Sequence, residues 1–149
     1  MKPRALLMLL GLALAGATSQ GLADEKHKDF GEYEVHYNVF PSTFLTPEVA
    51  EANNLNRSRS IGVVNIAIMT RDEDGSLKTV SGQVEGEVLN EVRQSKFLGF
   101  RRIKEGDDVY FIAQYQYSPA ELMIFRITAR PTGHDRDLDL RFSQALFND

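Results

Sequence analysis

The chain of 149 residues has no cysteine and no tryptophan. Without cysteine it has no disulfides, no thiolate-held metal, no cysteine nucleophile and no cysteine for lipid attachment. Basic residues are the minority charge, 17 Lys and Arg against 21 Asp and Glu. A negative surplus repels phosphate backbones and anionic headgroups, which argues against nucleic acid and bulk membrane as partners. A bilayer-spanning run, which takes roughly 20 apolar residues, is missing too; the apolar or small-residue run over residues 6–17 holds 12. The chain lacks a Gly-x-Ser-x-Gly elbow, a Ser-x-x-Lys, a His-Glu-x-x-His and a phosphate-cradling glycine loop. Its paired carboxylates fall in turns and at strand ends, where acids serve solubility, so an enzyme is the weaker expectation.

What is present starts with an export signal. Lys2 and Arg4 precede the run 6–17, and Gly21-Leu22-Ala23 places small residues where signal peptidase reads. The expected division is therefore a signal over residues 1–23, cleaved near Ala23, and a domain over residues 24–149, periplasmic or secreted and without a membrane span. That domain keeps 15 basic and 21 acidic residues, a formal −6. It is long enough to bury roughly two-thirds of its unfolded surface, so it needs no metal or cofactor to fold.

Residues 24–29 are charged or His throughout and read as a solvated leader that includes His27. Over residues 32–40, Tyr33, Val35, Tyr37 and Val39 alternate with Glu34, His36 and Asn38, the pattern of a strand with one wet face. Pro41 ends it. Thr46-Pro47-Glu48 then supplies an N-cap, a proline for the first helical position and an acid for the first turn of a short helix near residues 47–53. Residues 53–60 are rich in turn formers, and the Val/Ile-dense stretch 61–70 reads as a central strand interrupted by Asn65. Further strand-like runs follow at Val80–Val84–Val88 spacing and over 97–103, 109–117, 122–129 and 138–147. Gly82 and Gly86 inside one of these runs mark a bulge or the close approach of another backbone. About seven strands and one short helix predict an all-β fold, a single antiparallel sandwich of immunoglobulin-like type, with a small closed barrel as the alternative.

The segment His36-Tyr37-Asn38-Val39-Phe40-Pro41-Ser42-Thr43-Phe44-Leu45-Thr46-Pro47-Glu48-Val49-Ala50 is followed by Arg57-Ser58, Gly62-Val63-Val64-Asn65-Ile66 and a closing Arg141-Phe142-Ser143-Gln144. Together these resemble a family of small exported bacterial proteins described as domain of unknown function 4426, over the whole mature chain. The resemblance implies a secreted single-domain protein and carries over no catalytic or binding residue.

Three groups of residues are candidates for binding. His36, Asn38 and Asn65 are polar groups on otherwise apolar strands; they form either a small polar site, with an imidazole that titrates near neutral pH, or a structural hydrogen-bond network. In the loop after Phe40, Phe44 and Leu45 either make a sticky patch or fold back to plug one end of the sandwich. Arg57 and Arg59 present guanidinium forks suited to carboxylate or phosphate, unless one of them pairs with Glu48 or Glu51 of the preceding helix. No metal is expected. Asp72, Asp74 and Gly75 are part of a calcium loop only, the acids around His134 lack a full ligand set, and His27, His36 and His134 sit on unrelated segments that only assembly in space could join. These observations favour an exported, non-enzymatic module that binds an envelope protein or a small ligand. The alternatives are an enzyme with a site around His36 and Arg57, or a structural envelope component.

Overall fold

Polar and apolar side chains alternate along most of the chain, and the backbone follows them as strands. The computed structural model describes residues 26–147, so the expected signal and its cleavage point lie outside the described residues. Among the described residues the strands are β1 (Lys26–Asp29), β2 (Tyr33–Pro41), β3 (Ile61–Arg71), β4 (Leu77–Val80), β5 (Gly82–Leu89), β6 (Ser95–Leu98), β7 (Arg101–Glu105), β8 (Asp108–Gln116), β9 (Leu122–Pro131) and β10 (Leu138–Ala145), with one α-helix, α1 (Pro47–Ala52), and a 3-10 turn over Ser42–Phe44. They form two antiparallel sheets. One runs β1-β2-β3-β8-β7 with β4 paired to β3, and the other runs β10-β9-β5-β6. The sheets face each other as an all-β sandwich.

Ten strands replace the seven expected, and the three extra ones have identifiable causes. The run 77–89 divides at Ser81 because the chain leaves one sheet for the other there: β4 pairs with β3, whereas β5 pairs with β9. The run around Gly99 divides likewise into β6, on β5, and β7, on β8. Strand-like residues continue through both corners with no Pro to interrupt them, so the sequence does not betray the change of sheet. The third is β1. Its four residues are all exposed, so side-chain patterning carries no signal, and the strand is held by its ladder to β2.

The main core lies between the sheets. Met123, Phe125, Ile127 and Ala129 of β9 point inward in strict alternation, as do Leu138 and Leu140 of β10, against Val35, Ile66, Ile68 and Phe111 of the other sheet. An aromatic column crosses it. Tyr37 stacks on Phe142 at 4.3 Å, Phe142 on Phe125 at 4.9 Å, and Tyr115 meets Phe125 edge-on at 5.1 Å. The expectation for the glycines holds. A Cβ added at Gly86 would stand 2.6 Å from the Arg126 carbonyl oxygen, and one at Gly82 would run into the Arg130 carbonyl.

A second, smaller core covers the outer face of the six-stranded sheet. Phe40, Val63 and Ile112 from three neighbouring strands pack under Leu45, Val49, Ala50 and Leu55. The helix that supplies this cover forms for local reasons. Thr46 Oγ1 accepts from the Val49 N–H at 3.2 Å and Pro47 takes the first helical position. At the other end Asn54 adopts φ +58°, and the Leu55 and Asn54 amides return to the Ala50 and Glu51 carbonyls at 2.8 and 3.2 Å. That is a Schellman ending, and its apolar contact is the buried Leu55.

Candidate functional site

Along β2, residues 34, 36 and 38 share the outer face of the six-stranded sheet, because side chains alternate across a strand. The β1–β2 hairpin adds His27 to that face, directly opposite His36 in the ladder. Gly31 makes the hairpin possible with φ +91°, a conformation that glycine adopts freely, and the Asp29 carboxylate accepts from its N–H at 2.9 Å. The two imidazoles stack with centroids 4.9 Å apart and planes inclined by 18°. His36 Nε2 donates to Glu34 Oε1 at 2.9 Å, while Arg71 donates to Glu34 Oε2 at 3.3 Å. Both the His36 and the Glu34 side chains are largely covered, at 11% and 14% exposure. The hydrogen bond from His36 holds the Glu34 carboxyl below its ordinary range, with Arg71 adding to the effect and partial desolvation opposing it. One ligand-capable atom from each of His27, Glu34 and His36 lies within 4.8 Å of the others, and these three residues could hold a metal ion.

Asn38 and Asn65 are also brought together, as opposite residues of the β2–β3 ladder. Both are buried, and Asn38 Nδ2 and Asn65 Oδ1 have no hydrogen-bond partner. They lie on the β2–β3 face between the row containing His36 and the row containing Phe40.

The other candidates belong to the loop that caps this sheet. Leu45 folds back, 3% exposed, but over the outer face of the six-stranded sheet and not at an end of the sandwich, whereas Phe44 rests against Phe40 at 6.4 Å with 44% of its surface in solvent. Arg57 pairs with neither helix acid in its hydrogen bonds; its Nε donates to the Leu45 carbonyl at 2.8 Å, with a longer contact from Nη2 to Thr43 O at 3.4 Å. Ser42 and Ser58 close the same loop, Ser42 Oγ donating to Ser58 O and accepting from Ser58 N. Arg59 is exposed beside them. His36 and Arg57 therefore serve separate hydrogen-bond networks among the described residues.

Sequence reasoning missed the remaining surface feature. Phe97 of β6 is 79% exposed and lies in register with Glu87 of β5, Arg126 of β9 and Arg141 of β10 across the outer face of the four-stranded sheet. An open groove of about 850 Å³ runs beside them, lined also by Lys28 and Asp139. Glu87 and Arg126 approach to 3.5 Å, and Arg130 bridges Glu85 and Asp137 at 3.1 and 2.7 Å. Of the acids near His134, Asp137 and Asp139 are engaged, by Arg130 and by Thr128, and His134 itself packs edge-on against Tyr33 at 5.0 Å.

A family model described as Domain of unknown function (DUF4426) matches residues 27–149. A solved structure of a DUF4426 family protein from Pseudomonas aeruginosa PAO1 is 34% identical, with a TM-score of 0.73, covering 84% of this chain and 96% of that one. A copper-bound variant of FetP from uropathogenic Escherichia coli strain F11 shares the fold, with a TM-score of 0.57 at 10% identity, covering 83% of this chain and 95% of that one. No curated protein matches the sequence. The chain belongs to the DUF4426 family.

Proposed function

We propose that this member of the DUF4426 family is exported to the periplasm and works there as a non-enzymatic β-sandwich that binds another envelope protein. Phe97 carries the reading. A large aromatic ring that is 79% exposed on an edge strand gives an incoming strand an apolar side-chain contact beside its backbone pairing. Among the described residues β6 pairs only with β5, so its other edge offers free backbone N–H and C=O groups to an incoming strand. An extended partner segment added there would lay an apolar side chain on Phe97 while its backbone pairs with β6. Export is supported by Lys2, Arg4 and the run 6–17, and no helix among the described residues is long and apolar enough to cross a membrane.

The test is made on the full chain expressed in a Gram-negative host. The expected product is a periplasmic protein shortened by about 23 residues, as intact mass would show, since signals of this pattern are cleaved. Immobilised wild type should capture a defined protein from the native envelope fraction, and Phe97→Ala should lose it while keeping the same circular dichroism. Recovery of all 149 residues in the membrane pellet would overturn export. A partner retained equally by Phe97→Ala would overturn the contact surface.

A further inference from the structure

The sandwich has a second functional edge. β10 packs toward β2 and β6 toward β8, so β1 and β6 border the sandwich at opposite edges, with Lys28 of β1 reaching over β10 into the groove that Phe97 also lines. We propose that His27, Glu34 and His36 form a binding site for one divalent ion of the late first-row transition series, and that the bound ion clips the N-terminal strand β1 onto β2.

The donor set determines the class of ligand. Two of the three groups are imidazoles, which suit zinc, copper and nickel, whereas calcium and magnesium demand oxygen donors. Ligand atoms around one tetrahedral ion at ordinary bond lengths stand roughly 3.3 Å apart. His36 Nε2 and Glu34 Oε1, at 2.9 Å, are already near that spacing. His27 completes the set from within 4.8 Å, and because it is exposed on an edge strand its ring closes the remaining distance by a small side-chain rotation. The ion takes the place of the His36 Nε2 proton, and the imidazole carries its proton on Nδ1 instead.

The surroundings are built to hold the carboxylate. Arg71 grips Glu34 through Oε2 and leaves Oε1 turned to the imidazoles. The same guanidinium donates to the Gly75 carbonyl at 2.8 Å, which ties it to the β3–β4 turn. Groups that orient a ligand in this way commonly alter metal affinity about 10–100-fold when removed. The remaining coordination position opens to solvent on the side of His27, so water completes the shell.

The consequence for the fold is local. The four residues of β1 bury no apolar side chain; beyond the ladder, His27 stacks on His36, Asp29 accepts from the Gly31 N–H, and Lys28 reaches the Asp139 carbonyl at 3.2 Å and lies over the Phe30 ring. An ion bound by His27 on one strand and by Glu34 and His36 on the other adds a coordinate link across the strands to the ring stacking already there.

The experiment titrates the exported, untagged chain with Zn²⁺ and with Cu²⁺ by calorimetry, and follows amide hydrogen exchange with and without the ion. Wild type should take one equivalent. His27→Ala, His36→Ala and Glu34→Gln should each weaken binding about tenfold or more, in line with the loss of a ligand or its support, while His134→Ala leaves it unchanged. Exchange at residues 26–29 should slow when the ion is added to wild type and stay fast in His27→Ala. Should His36→Ala fail to fold, His27→Ala decides alone, since that residue is exposed. Binding of neither ion, affinity that survives in His27→Ala, or β1 exchange indifferent to the ion would each overturn the proposal.

Discussion

His27 and His36 stand opposite one another across the β1–β2 ladder with their rings stacked at 4.9 Å. Nine positions apart in sequence, they meet because the chain reverses at Gly31. The reversal places an otherwise featureless polar strand against the wet face of β2, and it concentrates two imidazoles and the Glu34 carboxylate at one edge of the sandwich.

Gly86→Ala should destabilise the protein by about 1–3 kcal/mol, the usual cost of overpacking. The added methyl would face the Arg126 carbonyl oxygen at 2.6 Å, and ladder backbone yields poorly. Gly99→Ala serves as the contrast. Its Cβ would find nothing nearer than the Phe97 ring at 3.9 Å, so urea unfolding should place that variant within about 0.5 kcal/mol of wild type.

In the capping loop the order of effects should follow burial. Leu45→Ala empties a fully covered site and should cost about 2–5 kcal/mol. Phe44→Ala, at a ring nearly half in solvent, should cost about 1 kcal/mol, near the centre of the range for single substitutions. Arg57→Ala releases the Leu45 carbonyl and should cost about 1 kcal/mol, the net worth of an ordinary hydrogen bond. A larger loss for Phe44→Ala than for Leu45→Ala would show that the loop packs differently in solution.

Acid should erase the contribution of Asp74. Its carboxylate accepts from the Ser76 backbone N–H at 2.9 Å, which holds its pKa below the ordinary 3.8. A group depressed in the folded state stabilises above its unfolded pKa and loses that contribution as pH falls through the folded one. The difference in Tm between wild type and Asp74→Ala should therefore be constant from neutral pH down to about 5 and close below about 4. A gap that widens on acidification would contradict this.

Chelation should leave the global Tm unmoved. The inter-sheet core and its aromatic column involve none of His27, Glu34 and His36, so removing an ion from β1 acts on that strand alone. Differential scanning calorimetry with and without a chelator measures it. A drop of several degrees would mean that metal supports the core itself.

Much of the architecture was legible because inward and outward positions alternate within each strand. β9 and β10 announce their buried faces residue by residue, Thr46-Pro47-Glu48 announces the helix, and Gly82 and Gly86 announce the close backbone of β9. His36, Asn38 and Asn65 stand out as polar interruptions for the same reason. His27 and Glu34 do not, since a charged leader and an acid on a wet face look like ordinary solvated surface. Phe97 escaped notice as well. An aromatic in an alternating run reads as core unless it is known which strand ends the sheet and leaves its outer face uncovered.

The sequence by itself determined an all-β fold with one short capped helix and no cysteine chemistry, because propensity, alternation and capping act between residues a few positions apart. Only the tertiary structure decided that the runs through Ser81 and Gly99 change sheets, that β1 exists, that Arg57 ties the loop carbonyls, and that two histidines and a glutamate converge. Each of these depends on which segments pair and in what register. Pairing is settled by backbone hydrogen bonds and burial summed over distant parts of the chain, and no local pattern records it.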